Sequence, residues 1–273
     1  MTLSEFERTR PYAKYFDLPY PDLPDEVIEK MSSPMDPSLA LRLDDRNKLL
    51  DPGYMPGEIG YCIMPDGSGY IASLTKMPGV TLQMLEWWFA WHGIESLRYK
   101  IWDPRDHYKA RVAPEHLARR LDNSLSWKER NWNTSDFVVE NVGDGTLALR
   151  ISFRSPESFG FDMQRFNSLP VTAICAHSGP PQWDIPRTTF IHFAREVEGG
   201  IELRSRFWLG WMIVNGRAVR TDFEVDATRV KGLSNHSPQE FHRLAAMLPA
   251  LCRENHDRQD KAEDFEMLDF CNA

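Results

Sequence analysis

Apolar and polar positions alternate through the middle of the chain, and this pattern predicts a set of β-strands. Glycine-rich turns at residues 143–145 and 198–200 each stand between two strand-like runs, which is typical of β-hairpins. Within residues 201–207 the alternation is regular and predicts a strand with one face on a core and one face on water. The predicted strands cover residues 136–141, 146–153, 170–177, 188–197 and 201–214.

Three further segments have helical patterns. Residues 80–92 are apolar nearly all round, with Thr81 as N-cap and Gly93 as stop, so this helix should be buried. Residues 114–121 begin with a proline, which predicts a second, shorter helix. A long helix is predicted to begin at Ser237, because Ser-Pro-Gln-Glu from this position matches a capping box and an apolar stripe follows.

Antiparallel strands followed by a long amphipathic helix predict an α+β fold. In it a curved antiparallel sheet packs around the C-terminal helix and leaves a cavity between them. Prolines interrupt residues 1–78 and leave short pieces, among them a helix over residues 25–31. We predict that residues 1–78 are a smaller N-terminal extension, either a surface wrap or a dimerisation arm. Residues 79–273 would then form the main domain.

Composition and charge narrow the classes of function. The 273 residues are 42% hydrophobic and 26% charged, which is ordinary for a soluble globular protein. A net charge of −8 argues against nucleic acid or an anionic membrane as partner. The four cysteines form no CxxC pair and there is no signal-like N-terminus or membrane-length apolar run. We therefore expect reduced thiols and a cytoplasmic location.

Metal-type ligands are scattered through the sequence. His107 follows a polar turn, Glu140 ends a strand-like run, and His236 and Glu240 stand four residues apart. Two imidazoles and two carboxylates could form a zinc shell with room for a water. Each residue also has a simpler explanation: Glu240 could be only the carboxylate of the capping box, and the others surface or satisfied residues.

A tryptophan-rich block at residues 86–93 is followed by Tyr99, by His107 eight residues later and, far downstream, by the His-x-x-x-Glu pair. In this order residues 54–245 resemble the 2,4-diacetylphloroglucinol hydrolase and phloretin hydrolase family. The resemblance implies zinc-dependent hydrolysis of the carbon–carbon bond between an acyl group and a phloroglucinol-type ring. It also implies a helix-grip (Bet v 1-like) catalytic domain and an N-terminal region used in a homodimer.

The resemblance also implies roles for individual residues. Tyr99 matches a catalytic tyrosine beside the metal, which could donate to the developing oxyanion or relay a proton to the ring. His177 matches a histidine that contacts a ring hydroxyl. His192 stands where the diacetylphloroglucinol enzymes have a tyrosine, so the substrate could be phloretin, an acetylphloroglucinol or another acylphenol. The residues that match the family's zinc ligands are His107, Glu140, His236 and Glu240.

Other interpretations stay open at the level of sequence. Glu157 is an alternative to Glu140 as the fourth ligand. A helix-grip protein could also bind an aromatic small molecule without catalysis, since fold alone does not determine function. A third hypothesis for the function is a metal hydrolase or decarboxylase that acts on a different phenolic carbonyl.

Overall fold

Eight antiparallel strands form one large sheet in the computed structural model, which describes residues 1–143, 145–258 and 260–261. The spatial order of these strands is β1-β2-β8-β7-β6-β5-β4-β3, and β9 and β10 form a separate two-stranded ribbon. The strands are β1 (Gly60–Ile63), β2 (Gly69–Pro78), β3 (His107–Val112), β4 (Ser135–Asn141), β5 (Thr146–Arg154), β6 (Val171–Gly179), β7 (Thr188–Val197), β8 (Gly200–Leu209), β9 (Trp211–Val214) and β10 (Arg217–Arg220).

Most of the predicted strands are confirmed, including both hairpin pairs, β4 with β5 and β7 with β8. Asp144, within the first predicted turn, lies outside the described residues. The predicted strand over residues 201–214 is split at Gly210, whose φ of +85° favours glycine. Arg220 of β10 packs against this position and donates through Nη1 to the Gly210 carbonyl at 2.6 Å.

Helices pack on both faces of the sheet. The α-helices are α1 (Glu5–Arg8), α2 (Asp25–Ser32), α3 (Leu82–Trp91), α4 (Ser96–Trp102), α5 (Leu117–Arg120), α6 (Trp127–Asn131), α7 (Met163–Asn167) and α8 (Ala227–Asn255). Short 3-10 helices are found at Ala13–Tyr15, Pro37–Leu39, Leu43–Leu50, His92–Ile94 and Pro114–His116. No helix in the described part of the chain combines the length and apolar character needed to cross a bilayer.

Helix α3 confirms the predicted buried helix and its cap, since the Thr81 side chain accepts a hydrogen bond from Met84 N. Gly93 has a different role from the predicted helix stop. The chain continues through it as a 3-10 turn, and a Cβ there would lie 2.0 Å from Asp136 Oδ2. Asp136 forms a buried ion pair with Arg120. Gly93 therefore leaves space for that pair.

Helix α8 begins ten residues before its predicted start, so the predicted capping box at Ser237 is wrong. The cap is Asp226, whose side chain accepts from Thr228 N, and Pro238 lies inside the helix. The first turns of α8 are mostly polar and lack an apolar stripe, so the sequence pattern alone did not reveal them. The predicted cap residues instead occupy the middle of α8, which packs against β1 and β2.

The sheet is buried on both faces. Its inner face packs on α3, α4 and α8, and its outer face packs on N-terminal residues. Strand β8 is buried almost throughout, so the predicted water-facing side of residues 201–207 is wrong. The N-terminal residues of the outer core include Leu41, Leu43, Leu49 and Leu50.

Residues 41–50 of the N-terminal segment thus cover part of the outer face of the sheet. Strands β1 and β2 lie within residues 1–78, yet β2 pairs with β8 along ten residues, so the sheet continues across the expected boundary at residue 78. These features support an α+β fold with a large antiparallel sheet and a long C-terminal helix. The finer helix-grip assignment and dimerisation through the N-terminal segment stay predictions.

Buried charges join the N-terminal segment to β8. Glu58 accepts a hydrogen bond from Arg204 Nε at 3.1 Å and forms an ion pair with Arg206. Both guanidiniums are at most 1% exposed. Burial by itself would raise the pKa of Glu58, but the two guanidiniums lower it overall. The alternating arginines of β8 thus form buried ion pairs with Glu58, although their pattern in the sequence suggested a face exposed to solvent.

Glu58→Gln should destabilise the protein by about 3–5 kcal/mol, because it leaves two guanidinium charges buried beside a neutral amide. Urea unfolding followed by circular dichroism measures the loss. The control is Asp51→Asn, which breaks the exposed Asp51–Arg165 pair and should cost less than about 1 kcal/mol. An equal loss in the two variants would show that Glu58 does not hold the N-terminal segment on the sheet.

Candidate metal centre

Two candidate ligands lie opposite each other at one end of the sheet. His107 is the first residue of β3, and its register partner on β4 is Glu140. A tight turn sets the start of β3, with His107 N donating to Asp103 O at 2.9 Å. The His107 side chain is buried, and its Nδ1 lies 3.2 Å from Tyr99 O. That contact assigns the proton to Nδ1 and leaves Nε2 as the ligand atom.

The other two candidate ligands lie one turn apart on α8. Residues four apart share a helix face, so His236 and Glu240 both point toward the sheet. Their closest atoms, Nε2 and Oε2, are 3.5 Å apart. Trp102 Nε1 donates to the Glu240 carbonyl at 2.9 Å, which ties α4 to this turn of α8. Because α8 begins at Ala227, Glu240 is not a capping residue.

The four side chains converge. His107 Nε2 lies 3.3 Å from His236 Nε2 and 3.5 Å from Glu240 Oε2. Glu140 offers an oxygen within 4.8 Å of both imidazoles. Donors that bind one zinc at about 2.0–2.1 Å in a tetrahedron lie about 3.4 Å apart, close to the two shorter distances here.

Glu140 rather than Glu157 joins the two histidines. Glu157 is exposed and belongs to no candidate metal group among the described residues, whereas Glu140 is grouped with His107 and His236. The pairing of β3 with β4 explains the choice, because it fixes Glu140 directly beside His107.

Charge within the cluster is strongly coupled. Burial alone would raise the pKa of Glu240, but the facing imidazoles of His236 and His107 lower it to about 2. Burial alone would lower the pKa of His236, but Glu240 and other nearby carboxylates hold it well above its usual range. The cluster thus favours an imidazolium that faces a carboxylate. A divalent cation can replace that proton, so the donor set fits a metal ion.

Aspartates stand behind His236. Its buried Nδ1 has no hydrogen-bond partner among the described residues and lies 3.6 Å from Asp106 and 3.8 Å from Asp103. Carboxylates in this position orient metal-bound imidazoles and increase their basicity. Asp103 is itself held by the Tyr20 hydroxyl of the N-terminal segment. Sequence reasoning missed both aspartates, although their closeness to His107 in the chain was a usable signal.

Tyr99 lies directly beside the cluster. Its ring stacks on the His107 ring at a centroid distance of 3.8 Å, and its hydroxyl donates to Glu140. Burial and the neighbouring Glu140 carboxylate raise the pKa of Tyr99 well above its usual value, so the phenol keeps its proton. The preceding residue, Arg98, anchors α4 through a two-pronged salt bridge to Asp260, with both N–O distances at 2.8 Å.

The cluster opens into an aromatic cavity between the inner face of the sheet and α8. His192 lies in its wall, with Nδ1 at 2.8 Å from Ser205 Oγ. Burial lowers the pKa of His192 to about 4, so the imidazole is neutral at pH 7. Arg229, two helical turns before His236, also lines the cavity and was missed because the predicted helix began too late. The aromatic lining residues are Phe89, Tyr99, Trp102, Phe153, Phe190 and Phe207.

His177 does not line this cavity. On β6 the side chain of Ser178 faces the cavity, and the preceding residue points to the outer face. There the His177 ring packs against Phe159 in a tilted arrangement, and its Nε2 accepts a hydrogen bond from Ile213 N at 3.0 Å. The structure therefore brings together Tyr99, His192 and the four predicted metal ligands, but it places His177 across the sheet from them.

These features define a pocket protein with a candidate mononuclear metal site in an aromatic cavity. Comparisons with known proteins identify the family: residues 39–253 match the DAPG hydrolase PhiG domain. The chain belongs to this family, so the predicted resemblance and the prediction of a hydrolase are confirmed.

Curated relatives extend the match over nearly the whole chain. A phloretin hydrolase from Eubacterium ramulus is 32% identical over 262 residues, which cover 93% of each chain. A 2,4-diacetylphloroglucinol hydrolase from a Pseudomonas species is 31% identical, over 90% of this chain and 89% of its own. The enzyme of that name from Pseudomonas protegens is also 31% identical, over 90% of this chain and 85% of its own.

We expect His236→Ala to remove bound metal, because it deletes one of two imidazole donors. Purified wild-type protein should contain about one zinc per chain by plasma mass spectrometry, and the variant almost none. The control is His242→Ala on the same helix, whose imidazole bonds to Pro238 O and lies outside the cluster. Equal metal content in wild type and His236→Ala would remove His236 from the ligand set.

Proposed function

We propose that this protein hydrolyses the carbon–carbon bond between an acyl group and a phloroglucinol-type ring, with phloretin and acetylphloroglucinols as the substrate class. The observation that carries the proposal is the convergence of His107, Glu140, His236 and Glu240 beside Tyr99, in a chain related to enzymes named for these substrates. Water supplies a hydroxyl to the acyl carbon and a proton to the ring carbon, so the products are a carboxylic acid and the free polyphenol.

The cofactor that we propose is Zn²⁺. Held by these four side chains, it would polarise the acyl carbonyl and lower the pKa of a water toward ~7. Two carboxylates in the shell reduce its positive charge compared with a three-histidine site. Orientation of the ring by the protein therefore matters as much as Lewis acidity.

Tyr99 is the proposed proton donor. Its hydroxyl stays protonated at neutral pH because its pKa is raised, and it is directed at Glu140 within the cluster. From this position the phenol can donate to the oxygen that gains negative charge on attack, or to the ring carbon as the bond breaks. Stacking on His107 and the hydrogen bond to Glu140 hold the phenol beside the cluster.

His192 is the proposed contact for a ring hydroxyl. One nitrogen is engaged by Ser205, and the neutral ring leaves the other to donate to or accept from a phenolic oxygen. Phe89 and Phe241 pack on the imidazole with centroid distances of 5.7 and 4.7 Å, which keep it in place. A neutral partner suits a substrate whose hydroxyls must shift toward the keto form before the bond breaks.

The cavity has about 70 Å³ of free space. Cavities that take up a benzene ring are larger, at about 150 Å³. Binding an acylated ring therefore requires lining side chains to move apart. The aromatic walls would then close on the ring and exclude water from the polar groups, which strengthens their electrostatic effect.

Zinc-loaded protein should convert phloretin to phloroglucinol and the arylpropionic acid, and a chelator should stop the reaction. Tyr99→Phe should retain its zinc and lose activity by about 10²-fold or more, because it removes only the proton donor. Product formation is followed by liquid chromatography and metal content by mass spectrometry.

Tyr108→Phe is the matched control, since that tyrosine lines a different surface pocket and should keep wild-type turnover. Full activity of Tyr99→Phe would remove Tyr99 from the mechanism. Wild-type protein that binds phloretin without cleaving it would favour the binding-protein interpretation.

His192→Phe should reduce kcat/KM for phloretin by about tenfold or more, because a buried phenolic hydroxyl loses its partner. His192→Tyr should change the ratio of kcat/KM between phloretin and 2,4-diacetylphloroglucinol. His177→Phe serves as comparison, since that side chain lies on the other face of the sheet. A larger loss in His177→Phe than in His192→Phe would contradict this arrangement of the site.

A further inference from the structure

A second pocket lies on the outer face of the sheet, across β6 from the metal cluster. It has a volume of about 330 Å³ and is built from β5, β6, β9 and the loop over residues 180–186. The side chains of Arg150, Ser152 and Arg154 share one face of β5, and the register partner of Ser152 on β6 is His177. In the pocket, one guanidinium therefore lies on each side of Ser152, and the imidazole of His177 lies opposite the serine.

The two guanidiniums have no carboxylate partner in the part of the chain that the structure describes. Neither Arg150 nor Arg154 forms an ion pair within the described ranges, and Arg154 is bonded only to the Phe153 carbonyl at 3.1 Å. Burial and the charge of Arg150 lower the pKa of Arg154. Two like charges held together in a half-buried pocket are unfavourable without an anion, and a paired oxyanion relieves both.

The remaining lining limits the charge and shape of that anion. Asp184 is the single carboxylate among the described lining residues, so the two guanidiniums leave one net positive charge. His177 accepts from Ile213 N through Nε2, so its Nδ1 carries the proton and its ring is neutral. A net charge of +1 matches a monoanion better than a dianionic phosphate.

One wall of the pocket is apolar. Met212, Ile213 and Val214 form it, and Trp183 stands at the rim with 48% of its surface exposed. An inorganic anion would make no use of this wall. A carboxylate with an aromatic or aliphatic body would place its two oxygens on the guanidinium forks and its body on Trp183 and Val214.

We propose that this outer-face pocket binds a small organic carboxylate with an apolar body. The site is separate from the metal cluster, although Ser178 lies between the two pockets and lines both. It does not depend on the proposed hydrolysis, because none of its charged groups belongs to the metal cluster.

Isothermal titration calorimetry with 3-phenylpropionate on zinc-loaded protein tests the proposal. We expect binding in the millimolar range or tighter, and binding at least tenfold weaker for Arg150→Gln and for the double variant Arg150→Gln/Arg154→Gln. Arg253→Gln is the control, since that arginine is exposed on α8, and it should bind as the wild type does. If the double variant does not fold, Arg154→Lys is measured in its place, because it keeps the positive charge at this position.

The comparison ligands are 3-phenylpropanamide and inorganic phosphate, and both should bind at least tenfold more weakly than the carboxylate. His236→Ala should bind 3-phenylpropionate as the wild type does, because His236 does not line the outer-face pocket. Binding that His236→Ala abolishes and Arg150→Gln preserves would place the ligand in the metal cavity and overturn the proposal. The proposal would also be overturned if phosphate binds as tightly as the carboxylate. The same holds if 3-phenylpropionate, added at millimolar concentration and in tenfold excess over the protein, gives no heat of binding.

Discussion

Two imidazole nitrogens that face each other at 3.3 Å in a buried site need a proton or a metal ion between them, because their lone pairs would otherwise repel. The carboxylates of Glu140 and Glu240 offset the positive charge that a metal ion or an imidazolium places there. Without that balance the burial of four polar side chains would be costly. Much of the surrounding architecture serves this requirement: β3 pairs with β4 to set one half of the cluster, and α8 carries the other half across the sheet.

Local patterns in the sequence were sufficient for much of the fold. Turn glycines, the Thr81 cap and the strand alternation act over a few residues, so they can be recognised without knowledge of the rest of the chain. Contacts between distant segments could not be predicted in this way. The arginines of β8 looked solvent-exposed because their partner, Glu58, is 146 residues or more away in sequence. The start of α8 was missed because its first turns are polar, while tertiary contacts and the Asp226 cap stabilise them.

Prediction of the site depended on two different kinds of information. The identity of the metal-type residues came from the resemblance, whereas their convergence required the register of β3 with β4 and the true extent of α8. A shift of one residue in a strand reverses the face on which a side chain lies. That parity separates His177 from Ser178, and no local pattern in Ala-His-Ser-Gly distinguishes the two. The aspartates behind His236 follow from the tight turn before β3, a feature that becomes meaningful only when His107 is known to face the metal cluster.

The salt bridge between Arg98 and Asp260 links the far end of the chain to the helix that carries Tyr99. Arg98 is 1% exposed and also lies beside Glu95, so its charge is neutralised by one local and one distant acid. Substitutions at position 260 are therefore constrained during evolution by the buried charge of Arg98. A descendant that lost the acid at position 260 would be under selection to regain an anion near Arg98, or to replace that arginine with a neutral residue. Covariation between positions 98 and 260 across the family would be the trace of that constraint.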